Sequence, residues 1–395
     1  MNYKKYIINF ISIIVIVITV IVGFNWVVDP YGINDAPLIQ DLNATKLEIS
    51  THMRMVKANN ITKMKPQAII LGTSHAYGGI DANYQGWSYS PVYNLGLPMA
   101  NMYEMTRYLQ SANAINPIKQ VVVLLDLFSF CTPQTNAPDF KEEYLTVTFD
   151  GKYQPDYFTL SNNLSNALSI DTLNSSIKTI LNQPNSLTSN ANTKKNYHAV
   201  FLAQEKGVRD WNYLPELYPS WDSISNNSPL FYYRKFLQIC YHNNIELFMA
   251  ISPSHVHNME VIYNAGLWTR FEEWKQQLVE INEEESLNAG CTPFPLWDFE
   301  TYNVYTEEEV PPKGDISTQM QWHVDSDHFS KKLGTLVLAR MFGDEEGNNL
   351  DFGEMVNSTN INQHLLQIRL DQQIYRMSHI DDISEIKSLF SNKIK

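Results

Sequence analysis

The stretch Ala68-Ile69-Ile70-Leu71-Gly72-Thr73-Ser74 decides how this chain is read. Four consecutive apolar residues shortly after Pro66 fit a strand buried on both faces, as in a parallel sheet. Gly72 permits a tight turn, and Ser74 then falls where a helix would begin. Open α/β sheets bind their ligands beyond the carboxyl ends of the strands, so Ser74 is a candidate nucleophile. Capping the helix is the other common use of a serine at such a place.

Three more runs have the same form. Val92-Tyr93-Asn94-Leu95 ends at Gly96, Val121–Leu125 ends at Asp126, and Ile245–Ile251 ends at Ser252-Pro253. Helical spacing is found over Met99–Asn113, Leu230–Tyr241 and Ala265–Asn288, and again over Ser330–Phe342, Ile361–Met377 and Ile383–Phe390. Strands alternating with helices predict an α/β fold around a parallel sheet with right-handed crossovers. The stretch 132–228 breaks the rhythm and is expected to form a cap inserted between two strands. It is rich in Asn, Ser and Thr over Ser161–Asn196 and then carries Trp211, Tyr213, Tyr218 and Trp221. Those rings could stack on sugars, but an aromatic core for the cap is the simpler expectation.

The N-terminus points to a membrane. Lys4 and Lys5 precede an uncharged apolar run from Ile7 to Val28, and about 20 helical residues cross a bilayer. The expectation is an uncleaved anchor through Ile7–Val28, with a cytoplasmic N-terminus by the positive-inside rule and everything after Asp29 outside. No small-residue cleavage site follows the run. Trp26 suits an interfacial position. The division expected is stub and anchor over 1–28, connector over 29–65, α/β domain over 66–343, and a helical tail over 344–395.

Net charge is −13 with no long basic run, which argues against a nucleic-acid partner. The acidic runs Glu283–Glu285 and Glu307–Glu309 read as solvated surface. Cys131, Cys240 and Cys291 are too widely spaced for a zinc or CxxC motif, and buried free thiols are expected.

About 250 residues after Ser74 comes Asp325-Ser326-Asp327-His328. A serine hydroxyl needs a base to take its proton, and donors for the oxyanion that forms on an attacked carbonyl. Asp325 is three residues before His328 and can reach its Nδ1, fixing the tautomer and supporting the imidazolium. The acidic residues could instead cap the Ser330–Phe342 helix. The cluster His323, Asp325, Asp327 and His328 could also suggest a metal, but its ligands are crowded into one segment and no metal is expected. His75 and His255 are accessory candidates, with His257 near the latter.

With these blocks in place the chain resembles the SGNH/GDSL-like hydrolase superfamily. Gly72-Thr73-Ser74 is similar to its Gly-Asp-Ser block, Asn94-Leu95-Gly96 to its second-strand glycine, and Asp325-Ser326-Asp327-His328 to its terminal Asp-x-x-His. The third block differs: Asp126-Leu127-Phe128-Ser129 stands where an Asn is usual, so Asp126 is only an accessory candidate and the third oxyanion donor is unassigned. The resemblance implies a three-layer flavodoxin-like sheet, a Ser74–His328–Asp325 triad, and an oxyanion hole from the Ser74 and Gly96 N–H groups. It implies no cofactor. The anchor and the insertion look most like the envelope branch that adds or removes acyl groups on exported polysaccharides. The expected activity is serine-dependent acyl-ester hydrolysis or O-acyl transfer on an envelope glycan or other acylated polymer, with a membrane acyltransferase as a further expected partner. The alternative is a non-catalytic glycan-binding or assembly protein on the same fold.

Overall fold

The computed structural model describes residues 3–133, 135–183, 195–219, 221, 227–344, 347 and 351–391. The Asn- and Ser-rich piece from 184 to 194 lies outside them. Six strands form one sheet: β1 (Ala68–Leu71), β2 (Val92–Asn94), β3 (Gln120–Leu125), β4 (Glu246–Ile251), β5 (Leu296–Asp298) and β6 (Glu354–Met355). Their order is β2-β1-β3-β4-β5-β6. The first five are parallel, and β6 pairs antiparallel with β5. All residues of β1 and β3 are buried, as their unbroken apolar sequences require.

Alternation along the strands serves two helical layers. On one face Ile70, Val122, Leu124 and Ala250 pack with Leu333, Val337 and Met341 of a helix over Lys331–Phe342. On the other, Met249 of β4 meets Tyr233, whose hydroxyl lies 3.4 Å from its sulfur. Tyr233 belongs to the helix Pro229–His242, which packs on Met102–Ile115 and on Trp268–Ala289. The four strands expected from the sequence are present, and so are the expected helices, with ends shifted by a few residues. Strands β5 and β6 are missing from the sequence reading because two or three residues carry no usable periodicity.

The chain divides into two compact units, Met1–Lys63 with Pro138–Thr193, and Met64–Ala137 with Lys194–Lys395. The insertion is therefore not one cap. Its first part joins the N-terminal unit, and its later part, including Tyr213, Tyr218 and Trp221, belongs with the sheet. Side-chain pairing explains the first assignment. Asn25 donates to the Ala167 carbonyl at 2.7 Å, Tyr31 Oη lies 3.1 Å from Ser175 Oγ, and Arg54 pairs with Asp139 at 3.3 Å. The expected connector 29–65 is thus packed structure. That unit begins with α1 (Tyr3–Val28), a helix long and apolar enough to cross a membrane.

The tail is also corrected, because the helix Ile361–Ser378 is bound into the sheet unit. His364 Nε2 and Lys275 Nζ both reach Asp298 Oδ2, at 2.9 and 2.7 Å, while Arg369 grips Glu272 through two bonds. Of the cysteines only Cys240 is buried; Cys131 is half-buried and Cys291 exposed, all three free. The acidic runs are corrected in part. Glu285 is buried against Arg234, and Glu308 accepts from the Trp322 and His323 amides at 2.9 and 3.0 Å.

Candidate active site

Between β2 and β3 the strand order reverses around β1, which opens a crevice at the carboxyl ends of β1 and β3. The chain leaves β1 through Gly72 at φ +141°, a conformation that L side chains rarely adopt. A Cβ there would also sit 2.8 Å from the Ala76 Cβ and 2.9 Å from the Leu124 carbonyl oxygen. Thr73, not Ser74, caps the short helix Ser74–Gly79: its hydroxyl accepts from the His75 N–H at 3.4 Å and donates to Asp126 at 2.5 Å across the crevice. Ser74 is thereby freed from capping and holds the first helical position, where the backbone N–H has no intrahelical partner.

Ser74 Oγ lies 2.8 Å from His328 Nε2. His328 Nδ1 lies 3.0 Å from both carboxylate oxygens of Asp325. Asp325 Oδ1 also accepts the backbone N–H groups of Asp327 and His328, at 2.9 and 2.7 Å, so it fixes the loop as well as the ring. The helix that follows is capped by Ser330, whose hydroxyl accepts from the Leu333 N–H at 3.3 Å. The Asp325–His328 run is therefore not a cap. Glu308 orders the approach to this loop through its backbone bonds, a role that a run of three glutamates gave no means to see. Burial lowers the basicity of His328, but the bond to Asp325 and the negative charges of Asp327 and Asp325 together outweigh it and hold the imidazole pKa above its ordinary value.

His75 turns away from the Ser74 hydroxyl. Its Nδ1 lies 2.7 Å from Ser252 Oγ and its Nε2 3.3 Å from Asp327. Burial opposes charge on this ring, but Asp327 outweighs it and holds the pKa up to about 9, while the Asp327 carboxyl, itself penalised by burial, is drawn down to about 2. Asp327 further accepts from Asn258 and Gln204, at 3.2 and 3.3 Å. Ligand atoms of His75, Asp327 and His328 lie close enough to hold a cation. All four ring nitrogens already have protein partners, so coordination would have to break those bonds.

Two expected contributors take other roles. The Gly96 N–H donates to the Asn94 side chain at 2.9 Å, and a Cβ at Gly96 would lie 2.4 Å from the Tyr77 nitrogen. This glycine lets β2 approach the Ser74 helix; its amide is engaged and does not supply the oxyanion donor expected of it. His255 caps the helix Val256–Asn264 and its Nε2 lies 2.7 Å from the Glu308 carbonyl oxygen. It is buried behind the loop, where its own N–H donates to the Ser326 carbonyl at 3.1 Å. Asp126 stays beside the crevice, bonded to Thr73 and to the Ser129 N–H at 2.9 Å; burial pushes its carboxyl pKa up.

A cavity of about 70 Å³ opens over Ser74 and His328. Among its walls are Met99, Gln204, Asn212 and Tyr213. Met99 has φ +61°, unusual for a residue with a side chain and the kind of backbone strain that gathers at functional sites. Asn212 ends a π-helical turn, Val208–Asn212, another feature frequent at such sites. Nothing in the sequence pointed to Gln204 or Asn212, because amides carry no motif of their own. Tyr213, Tyr218 and Trp221 are buried, whereas Trp211 is 76% exposed. Comparison with known proteins finds no matching family model, curated protein or solved structure.

Proposed function

We propose that this protein is a membrane-anchored serine acyl-ester enzyme of the SGNH/GDSL-like kind, acting on an acylated polymer of the cell envelope. The observation that carries the reading is the 2.8 Å contact between Ser74 Oγ and His328 Nε2, with Asp325 on the far nitrogen of the same ring. The parallel order β2-β1-β3-β4-β5, which is the flavodoxin-like order, supports it, as does the position of Ser74 at the switch point.

In this reading His328 takes the hydroxyl proton as Ser74 attacks the ester carbonyl carbon. The bond to the leaving alkoxide breaks, and His328 returns the proton to that oxygen, leaving an acyl-Ser74 ester. Water or a sugar hydroxyl then gives its proton to His328 and attacks the acyl carbon, and Ser74 recovers its proton. The Ser74 N–H and the Asn212 side-chain amide are the donors proposed for the oxyanion. The narrow cavity favours a short acyl group such as acetyl. Exposed Trp211, next to Asn212, offers a face for a sugar ring. By the positive-inside reading of Lys4 and Lys5, the catalytic unit lies outside the cytoplasmic membrane.

The test is a fluorophosphonate probe applied to the full chain in membranes. Labelling of the Ser74 peptide is expected, lost in Ser74→Ala and strongly reduced in His328→Ala. A folded wild-type protein that binds acylated glycan but never labels would instead make this a binding or assembly protein.

A further inference from the structure

In the N-terminal unit two helices follow one another, α2 (Leu160–Ala167) and α3 (Ile170–Leu181). The second is amphipathic, and its polarity is inverted. At 3.6 residues per turn Thr172, Ser175, Ser176 and Thr179 share one side, and all four are buried against the protein. Ile170, Ile177 and Leu181 share the opposite side, and they face outward, Ile170 at 78% and Leu181 at 77% exposure. Leu164 and Leu168 extend the outward apolar surface onto α2 and the turn after it. A helix in a water-soluble protein packs its apolar stripe inward and shows its polar stripe to solvent. Here the hydroxyls have taken the inner positions. Ser175 bonds to the Tyr31 hydroxyl at 3.1 Å, and Thr179 bonds back to the Ser175 carbonyl at 2.8 Å.

The place of these helices tells what lies opposite the apolar side. Both pack on α1, the helix apolar enough to cross a membrane, and they do so at its Val28 end. There Asn25, buried like Val28 at this end of α1, donates at 2.7 Å to the carbonyl of Ala167, the last residue of α2. Trp26, exposed beside it, is the residue type that settles at a membrane–water boundary. The apolar surface of α1 therefore continues directly into that of α2 and α3.

We propose that α2 and α3 lie in the bilayer surface around the emerging end of α1, with Ile170, Ile177, Leu181, Leu164 and Leu168 set into the boundary between headgroups and acyl chains. Interfacial helices bury their apolar face about 5–10 Å into that boundary. The occupant is lipid, because the surface is continuous with one that lipid must cover and its outward stripe is aliphatic. The first part of the insertion is then a collar that fixes how the anchor leaves the membrane, a second membrane contact beyond the single span.

The full chain, with Cys131, Cys240 and Cys291 replaced by alanine, tests this. It is spin-labelled singly in the variants Ile170→Cys, Ile177→Cys, Leu181→Cys and, for reference, Glu280→Cys, and placed in phosphatidylcholine–phosphatidylglycerol vesicles. Collisions with oxygen are expected to exceed those with a water-soluble nickel chelate several-fold at 170, 177 and 181, with the reverse at 280. Preference for the nickel chelate at 170 and 181 would put the face in water. Exclusion of both reagents would put a protein partner on it. Either result overturns the proposal. The unmodified chain gives a second measurement: a phospholipid with a photoreactive acyl chain should mark peptides within 160–181 as well as α1, and marking confined to α1 counts against the collar.

Discussion

Two histidines stand 5.3 Å apart at the carboxyl end of the sheet, and each bridges a serine and an aspartate. His328 joins Ser74 to Asp325; His75 joins Ser252 to Asp327. By composition both are Ser-His-Asp sets. They differ in access and in charge. Ser74 lines a cavity, whereas Ser252 is buried. The His328 ring is half-buried, with one nitrogen on a hydroxyl whose proton it can take. The His75 ring is sealed, and its neighbour Asp327 keeps it an imidazolium, which has no lone pair to act as a base. A triad is therefore defined less by its three residues than by what keeps its histidine neutral and its serine reachable. The His75 set works as a buried ion pair that holds the Ser74 helix against the His328 loop.

Removing each aspartate in turn separates the two sets. Asp325→Asn leaves a side chain of the same size that no longer fixes the tautomer of His328 or supports its charge. Turnover of a model acetyl ester should fall by about 10⁴ while the protein stays folded by circular dichroism. Asp327→Asn leaves a buried imidazolium without its counter-charge, and breaking such a pair costs about 3–5 kcal/mol of stability. Urea unfolding should show that loss, with whatever fraction remains folded still reacting at Ser74. If instead Asp327→Asn abolished labelling in fully folded protein, the division of roles between the two sets would be wrong.

Asn212 distinguishes the two serines from the substrate side. The cavity over Ser74 has an amide on its wall, whereas Ser252 is buried and does not line that cavity. An amide that donates to the oxyanion should matter to kcat far more than to KM. Asn212→Ala is expected to lower kcat by about 10²–10³, the cost of losing one oxyanion donor. Equal kcat with a raised KM would make Asn212 a binding residue only.

Much of this arrangement is legible in the sequence, and the limits have physical causes. The strands Ala68–Leu71 and Val121–Leu125 stand out because burial on both faces demands unbroken apolar runs. Asp325 and His328 stand out because their interaction is local, three residues apart. Long-range pairing leaves no such mark. Nothing near Asp327 says that its partner is His75, and nothing near Gly96 says that its amide is taken by Asn94. Thr73 is hidden by its neighbour, since either hydroxyl could cap the helix and only the tertiary bond to Asp126 selects one. The insertion changes from polar to aromatic after Asn196, but a shift in composition does not say which unit each part packs into.

The smallest expected effect lies in pH, where the two histidines pull in opposite directions. His328 must be neutral to take a proton. Against the lowering by burial, the bond to Asp325 and the charge of Asp327 together hold its pKa above that of a free imidazole, so the acid limb of kcat/KM should lie higher than the usual value near 6.5. Asp325→Asn removes the main upward contribution and should move that limb to lower pH. His75 must stay charged to keep its pair. Its folded pKa of about 9 exceeds the unfolded value, so between about 6.5 and 9 the folded chain holds the extra proton and stability declines as pH rises, at about 1.4 kcal/mol per unit for this one group. Asp327, drawn down to about 2, acts in the other direction, and its contribution is lost only as pH falls below about 4 toward that value. Activity should thus rise across the same alkaline range in which the supporting pair weakens. A pH series of urea midpoints beside kcat/KM would show the two curves crossing. Midpoints in His75→Gln should lose the alkaline decline while the acid limb of activity stays governed by His328, and a decline that survives this change would have to come from another group.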